Sequence, residues 1–312
     1  MNKLKLGSLL LATLIAGTVL GAFVWDKKQA SDYNALTKRY SLLAKRLFLS
    51  KPNDILITFN ELRKEVYDYA DANIGLENAS IYFNYLPTGT TFGYGETREF
   101  TGASLIKVPF VMDLYRLAED GKVNLDTKVP LKKAWLNDEF GSLHLKGEGY
   151  KLSYREAARL ALRDSDNTAL LMLSELEARF PHNGSDQAIN ALDIPYQVGK
   201  GNSLLIGSQS YTSLLKCLYF SCYLNYDDSQ EVLRYMTESK FNNRLTLFLP
   251  QGLTVAHKIG TYSDEVQSDC GIIYLPNRNY SLCIMLKEPE EEANQHIADI
   301  SNMVYKFVSK QK

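Results

Sequence analysis

The chain has 312 residues, of which 45% are hydrophobic and 23% charged, and its formal net charge is -1. This composition is typical of a globular protein with a sizeable core and excludes a disordered chain. Because the net charge is near zero and Lys and Arg form no runs, the sequence gives no indication of nucleic-acid binding. A substrate must therefore be recognised by a local site.

An uncharged, apolar run lies near the N-terminus, from Leu6 to Trp25, and follows Lys3 and Lys5. About 20 apolar residues can span a bilayer as a helix, and basic residues ahead of such a run favour a cytoplasmic N-terminus. We therefore predict four segments, namely a cytoplasmic tail over 1–5, a membrane anchor over 6–25, a stalk over 26–54 and a domain outside the cytoplasm over 55–312. The alternative is a secreted protein whose signal peptide is cleaved near Gly21.

The cysteines and histidines show no spacing typical of a metal site. They are Cys217, Cys222, Cys270 and Cys283, and His144, His182, His257 and His296. The sequence therefore predicts no metal and no cofactor. Cys270 and Cys283 flank a predicted turn at 276–279, and a hairpin there could bring them into a disulfide. Since the register of that hairpin is not set by the sequence, we interpret the cysteines as buried thiols.

Hydrophobic periodicity predicts a helix, two strands, a block of helices, three strands and a final helix. The predicted helices cover 55–72, 104–121, 153–162, 169–180, 211–223 and the residues after 289. The predicted strands cover 81–85, 90–94, 254–260, 270–275 and 280–286. This order indicates an α+β fold in which one antiparallel sheet, built from both ends of the chain, packs against a helical middle region.

Three Ser-x-x-Lys sequences occur, at 104–107, 213–216 and 309–312, and such a pair has little specificity by itself. Ser104 differs from the other two because it follows a turn-forming Gly-Ala pair at a predicted helix start. Free backbone N–H groups and the helix dipole favour negative charge there. Lys107 lies one turn further on the same face, and a desolvated lysine can accept the proton of a serine nucleophile.

Two more motifs follow, Ser165-Asp166-Asn167 between two predicted helices and Lys258-Ile259-Gly260-Thr261 on a predicted strand. S-x-x-K, S-D-N and K-[ST]-G in this order are the combined signature of class A β-lactamases and penicillin-binding proteins. From about Ile55 to the C-terminus, the sequence resembles this superfamily of serine hydrolases.

The resemblance implies a catalytic role for four residues. Ser104 attacks a carbonyl group and becomes acylated, and Lys107 accepts its proton, either directly or through a water molecule. Ser165 passes a proton to the leaving nitrogen. Lys258 supplies positive charge for Ser165 and for a substrate carboxylate.

The same resemblance implies substrate contacts and one structural residue. Asn167 holds the substrate amide, and Gly260 and Thr261 lie on the strand that binds the substrate. The backbone N–H groups of Ser104 and Thr261 form the oxyanion hole. Asp166 is expected to be structural and to hold its own loop in place.

The sequence departs from the family pattern at two places. Ile259 stands where the family has Thr or Ser, so a hydroxyl near the substrate carboxylate is missing, and Thr261 could supply one instead. Class A β-lactamases also carry a Glu that activates the deacylating water between the second and third motifs. Here that region, 192–202, contains no glutamate, and Glu175 and Glu177 lie too early, on the helix after the second motif.

Acylation residues are thus present, whereas the deacylating base is missing. This combination resembles D,D-peptidases that act on peptidoglycan stem peptides and are inhibited by penicillin. We therefore predict a membrane-anchored enzyme that forms an acyl-enzyme with β-lactams or stem peptides and is slow to release β-lactams. Two alternatives stay open, an atypical class A β-lactamase and a non-catalytic tethered domain that binds a wall peptide or a protein.

Overall fold

The computed structural model describes residues 3–39, 57–180, 187–199 and 203–311. Their helices are α1 (Lys3–Arg39), α2 (Asn60–Asn73), α3 (Lys107–Glu119), α4 (Tyr154–Arg163), α5 (Asn167–Glu177), α6 (Gln187–Ala191), α7 (Ser208–Phe220), α8 (Tyr226–Thr237) and α9 (Glu290–Lys310). Their strands are β1 (Ala79–Tyr85), β2 (Thr90–Tyr94), β3 (Phe100–Thr101), β4 (Lys128–Pro130), β5 (Lys151–Ser153), β6 (Gln197–Val198), β7 (Leu204–Ile206), β8 (Val255–Tyr262), β9 (Val266–Ile273) and β10 (Tyr280–Leu286).

The chain divides into two units, Met1–Leu56 and Ile57–Lys312. The first unit contains α1, which extends through the predicted anchor and into the predicted stalk. Among the described residues, no helix has both the length and the apolar character needed to cross a membrane. The anchor, the tail and the stalk therefore stay predictions from the sequence. The last part of the stalk, 40–54, lies outside the described residues.

Five strands of the second unit form an antiparallel sheet in the order β2-β1-β10-β9-β8. Two of these strands come from the beginning of the unit and three from its end. The predicted α+β fold, with a sheet built from both ends of the chain, is confirmed. β8 is an edge strand, so the backbone groups along its outer side are not taken up by a neighbouring strand of this sheet.

Both faces of this sheet are covered. One face packs against α2 and α9 and forms a core that includes Leu62, Ile284 and Ile300, whereas the other packs against the helical middle region and includes Met285. Ile284 and Met285 belong to different cores because successive side chains of a strand point to opposite faces. Burial on both faces explains why β10 reads as a nearly continuous apolar run.

The cysteines form two disulfides, Cys217–Cys222 and Cys270–Cys283. The interpretation of these residues as buried thiols is therefore wrong. Cys270 and Cys283 stand directly opposite each other in the pairing of β9 with β10, with their Cα atoms 3.9 Å apart. The register of this hairpin brings the two sulfur atoms together. Because Cys270 also pairs with Lys258 of β8, this disulfide lies beside Lys258, on the same face of the sheet.

Candidate active site

Ser104 lies in a short 3₁₀ segment, Ala103–Ile106, which leads into α3. Lys107 is the first residue of α3, and its Nζ lies 3.1 Å from the Oγ of Ser104. Ala103 has a φ of 44°, a left-handed conformation that is uncommon for a residue with a Cβ. Strain of this kind is found at functional sites, where the surrounding fold enforces it. This sharp turn directs Ser104 towards Lys107.

Asp166 holds the loop between α4 and α5. One of its carboxylate oxygens caps α5 by accepting a hydrogen bond from the N–H of Ala169 at 2.8 Å, and the other accepts from the N–H of Leu143 at 2.9 Å. A Cβ at Gly141 would lie only 2.0 Å from this carboxylate. Both oxygens of Asp166 are therefore engaged by the surrounding backbone, as expected for a residue that shapes a loop.

Ser165 lies between two lysines. Its Oγ is 3.1 Å from the Nζ of Lys107 and 3.0 Å from the Nζ of Lys258, and all three residues are buried. Its φ of 53° is again strained. A hydroxyl oxygen that accepts a hydrogen bond from Lys258 has its own proton left to donate, as a relay to a leaving group requires.

The surroundings of Lys107 favour its neutral form. Its Nζ lies 2.5 Å from the carbonyl oxygen of Ser165 and 2.7 Å from Oδ1 of Asn167. Burial lowers the pKa of Lys107 to about 7, although the charges of Asp166 and Glu139 oppose this shift. A neutral amine has two N–H donors and one lone pair. Since carbonyl oxygens cannot donate, they take the two N–H groups and leave the lone pair for a hydroxyl such as that of Ser104.

Lys258 is the second buried amine of the site. Burial holds the pKa of Lys258 well below its usual range, and the neighbouring charge of Lys107 lowers it further. Its Nζ donates to the carbonyl oxygen of Ile259 at 2.9 Å. Because two like charges this close oppose each other, a proton on Lys107 disfavours a proton on Lys258.

The edge strand β8 packs closely against the loop that carries the serine. A Cβ at Gly260 would lie 2.8 Å from the carbonyl oxygen of Gly102, so only glycine allows the two backbones to approach this closely. Thr261 follows directly on the same strand. Ser104 and Thr261, whose N–H groups we predicted as oxyanion donors, therefore lie on two segments in direct contact.

The family model of the β-lactamase enzyme family matches residues 61–308. The chain belongs to this family. It is thus a serine hydrolase of the class A β-lactamase and penicillin-binding superfamily, and the three motifs meet in its candidate active site. A search of the curated proteins found no match.

Solved structures of this superfamily share the fold. PBP-A is 22% identical to this chain, and the match covers 81% of this chain and 97% of PBP-A with a TM-score of 0.72. A mutant of PBP-A, solved as an acyl-enzyme complex with penicillin G, is 23% identical over 80% of this chain and 97% of the mutant, with a TM-score of 0.71. The β-lactamase from Sphaerobacter thermophilus is 18% identical over 82% of this chain and 100% of its own, with a TM-score of 0.72.

Sequence analysis of this β-lactamase-family chain missed Arg244, which is 1% exposed. Its guanidinium donates to five oxygens, those of the Asn294 side chain, the Gly260 and Ser268 carbonyls, and the Thr261 and Gln267 side chains. All five N–H groups of Arg244 are thereby used. Because the hydroxyl of Thr261 accepts from Arg244, it has its own proton left to donate. An arginine outside any motif gives no sequence signal for this role.

Ile259 points away from Lys258. It is 4% exposed and stands opposite Asp269 in the pairing of β8 with β9. Alternation along β8 places its side chain on the face opposite to that of Lys258. The hydroxyl that the family carries at this position is therefore replaced by a side chain buried behind the strand.

Ile259→Thr is accordingly expected to lower the melting temperature and to leave acylation by carboxylate-bearing β-lactams unchanged. An unpaired buried hydroxyl costs about 1–3 kcal/mol. Thr261→Val is the matched variant, and it is expected to slow acylation because it removes the hydroxyl held by Arg244. Stopped-flow acylation rates and melting curves of both variants test this. Faster acylation in Ile259→Thr would show that this side chain faces the substrate.

The region that should hold the deacylating Glu is described only in part. Leu192–Gly199 is described, whereas 200–202 lies outside the described residues. Asp193, the acidic residue of the described part, is exposed. Glu175 bonds to Lys132 and the indole of Trp135. No carboxylate of the described residues is hydrogen-bonded to Ser104.

Glu177 lies at the far end of α5, about 15 Å along the helix from Asn167. Its side chain is buried and neither carboxylate oxygen has a hydrogen-bond partner. Burial, together with the charge of Asp113, raises the pKa of Glu177 to about 9. Glu177 is therefore a protonated core residue at neutral pH.

This pKa predicts a stability that falls as pH rises. Between about pH 4.3, where an unfolded glutamate loses its proton, and about pH 9, the folded state binds one proton more than the unfolded state. The free energy of unfolding then decreases by about 1.4 kcal/mol per pH unit from this group alone. Glu177→Gln should remove this loss and be more stable than the wild type at pH 8. Urea unfolding at pH 5 and pH 8 measures it, and equal pH dependence in both proteins would contradict the prediction.

Proposed function

We propose that the chain is a D,D-peptidase type of acyl-transfer enzyme that becomes acylated on Ser104 by peptidoglycan stem peptides or β-lactams. The observation that carries this proposal is the position of the Lys107 amine, 3.1 Å from both the Ser104 and the Ser165 hydroxyl oxygens. One buried base thus contacts the attacking hydroxyl and the hydroxyl that serves the leaving group. Such an arrangement suits acyl transfer.

Acylation begins with attack by the Oγ of Ser104 on the carbonyl carbon of the substrate amide. As the Oγ–C bond forms, the proton of Ser104 passes to the lone pair of Lys107. The negative charge that develops on the carbonyl oxygen is stabilised by the N–H groups of Ser104 and Thr261. Loss of one such donor typically costs a factor of about 10²–10³ in rate.

The leaving nitrogen must gain a proton when the C–N bond breaks. Ser165 donates its hydroxyl proton to that nitrogen and receives one from Lys107, so the proton taken from Ser104 reaches the leaving group. Lys258 stabilises the Ser165 oxygen during this transfer. Thr261 donates its hydroxyl to a substrate carboxylate, and Asn167 contacts the substrate amide.

Slow release of β-lactams is supported by the missing glutamate in the region where class A β-lactamases carry their deacylating base. Region 192–202 contains no glutamate, and the buried Glu177 lies at the far end of α5. A general base typically contributes a factor of about 10²–10⁴ in rate. Its loss would convert a β-lactamase into a protein that traps penicillin. The resulting acyl-enzyme should persist long after the free drug is removed.

The apolar run 6–25 supports the rest of the proposal, a location outside the cytoplasm with an N-terminal membrane anchor. A non-catalytic wall-peptide or protein-binding domain is less well supported, because Ile259 faces away from the site and leaves the acylation residues unaltered. The atypical β-lactamase differs from our proposal in one respect, which is fast deacylation.

Release of D-alanine from a peptide that ends in D-Ala-D-Ala tests the proposal. We expect the wild type to release D-alanine, Ser104→Ala to release none, and a peptide ending in L-alanine to be left intact. Nitrocefin should be hydrolysed slowly. In the first turnover, roughly one nitrocefin molecule should react per enzyme molecule. Rapid nitrocefin turnover without peptide cleavage would identify a β-lactamase instead.

A further inference from the structure

A cavity lies behind β8, apart from Ser104. Its volume is about 540 Å³, which is within the range of small-molecule sites. Val255 and His257 line it and lie on one face of β8. Lys258 lies on the other face, together with Ala256 and Gly260, and contacts Ser165. Because neighbouring residues of a strand point to opposite faces, this cavity and the active site lie on opposite sides of the same strand.

His257 is the buried polar group of this cavity. It is 2% exposed, and its Nδ1 lies 2.9 and 3.0 Å from the two carboxylate oxygens of the fully buried Asp269. A Cβ at Gly271 would lie 2.5 Å from the Cβ of His257, so glycine allows β9 to approach β8 closely at His257. With Nδ1 bonded to Asp269, the ring is held in a fixed orientation and Nε2 is left for a ligand.

The rest of the lining is neutral and rich in hydrogen-bonding groups. None of the described residues that line the cavity is Asp, Glu, Lys or Arg. Hydroxyl and amide groups come from Thr237, Ser239, Asn242, Thr246, Gln251 and Thr254. Apolar surface is supplied by Leu249 and Leu253. Neutral donors and acceptors beside apolar carbon match a ligand that carries many hydroxyls and no charge, because a charged ligand would find no counter-charge there.

We propose that this cavity binds a neutral saccharide, with Nε2 of His257 and the hydroxyl of Thr246 bonded to sugar hydroxyls. The apolar leucines contact the C–H face of the ring. The proposal does not depend on acylation of Ser104.

The cavity is connected to the active site through one segment. Asp269, which holds His257, also accepts a hydrogen bond from the N–H of Leu245 at 3.1 Å. The preceding residue, Arg244, holds the hydroxyl of Thr261 in the active site. A saccharide in the cavity therefore contacts the segment that positions a substrate-binding side chain.

Calorimetric titration of the full chain with two neutral disaccharides, N,N′-diacetylchitobiose and maltose, tests the proposal. Binding of the first alone indicates an amino-sugar glycan, and binding of both indicates a general saccharide site; either result supports the proposal. Glucosamine disaccharide, which is cationic, should bind at least tenfold more weakly than its acetylated form. No saturable binding of either neutral sugar would overturn the proposal.

Two variants assign the binding to this cavity. His257→Asn should weaken binding about tenfold. Thr246→Val, a milder change at a partly exposed residue, should also weaken it about tenfold. His296→Asn, whose ring bonds to Glu288 elsewhere, should leave it unchanged. Ser104→Ala should also bind normally, which separates this proposal from the proposed function. Undiminished binding to a folded Thr246→Val variant would place the sugar elsewhere and contradict the assignment.

Discussion

Ser104→Ala is expected to abolish covalent labelling by a fluorescent penicillin. Among the described residues, the hydroxyls hydrogen-bonded to Lys107 are those of Ser104 and Ser165, and Ser165 is assigned to the leaving group. Labelling is read from a denaturing gel after incubation with the full-length chain. The fold should be unaffected, since the change removes a single oxygen, and the melting temperature verifies this.

The chain contains its own matched controls for this experiment. Ser213 and Ser309 are also followed by Lys at the third position, but their hydroxyls donate to helix carbonyl oxygens, those of Gln209 and Lys306. Ser213→Ala and Ser309→Ala should label like the wild type. A label that survives in Ser104→Ala and disappears in either control would place the nucleophile elsewhere.

Lys107→Ala and Lys107→Arg are both expected to slow acylation by a factor of about 10²–10⁴, the range for loss of a general base. Arginine keeps the positive charge but does not lose its proton at accessible pH. If the charge of Lys107 were what matters, Lys107→Arg would retain acylation. Stopped-flow acylation rates of the two variants separate these roles.

The pH profile of the wild type tests the same assignment. A base must be unprotonated to accept a proton, and the pKa of Lys107 is about 7. The acylation rate should therefore rise with pH through about 7, level off above about pH 8, and fall tenfold per unit below about pH 6. A rate that is flat between pH 5 and pH 8 would contradict the role of Lys107 as the base.

Much of the fold followed from patterns that depend on local chemistry. The apolar strand at 280–286 has the bounds of β10, and the predicted strands at 81–85 and 90–94 lie within β1 and β2. The predicted helix at 153–162 corresponds to α4, which Ser153 caps by accepting a hydrogen bond from the N–H of Glu156. Such features are set by neighbours in sequence, which is why they can be predicted without the tertiary structure.

Other features depend on long-range contacts. The short sheet of β3, β7 and β6 was not predicted, because strands of two or three residues show no periodicity. The disulfide between Cys270 and Cys283 required the register of a hairpin. The contacts of Arg244 come from β8, β9 and α9 at once, and no segment of the sequence indicates them.

The candidate site shows the same division. The three motifs indicated which residues to examine, but not that Lys107 contacts Ser104, Ser165 and Asn167 together. Nor did they indicate the strained turn at Ala103 or the orientation of Ile259. Those properties arise from how the serine loop, the second motif and β8 pack against one another.

Intact-protein mass spectrometry after mixing with penicillin G tests the central claim most directly. We expect the chain to gain the mass of one penicillin G, peptide mapping to place it on Ser104, and the adduct to persist after free drug is removed. Glu139 is an exposed carboxylate that accepts a hydrogen bond from the side-chain amide of Asn167 at 3.3 Å, and Glu139→Gln should not lengthen the adduct's lifetime. An adduct on another residue, or no adduct at any time while penicillin stays intact, would contradict acyl transfer by Ser104.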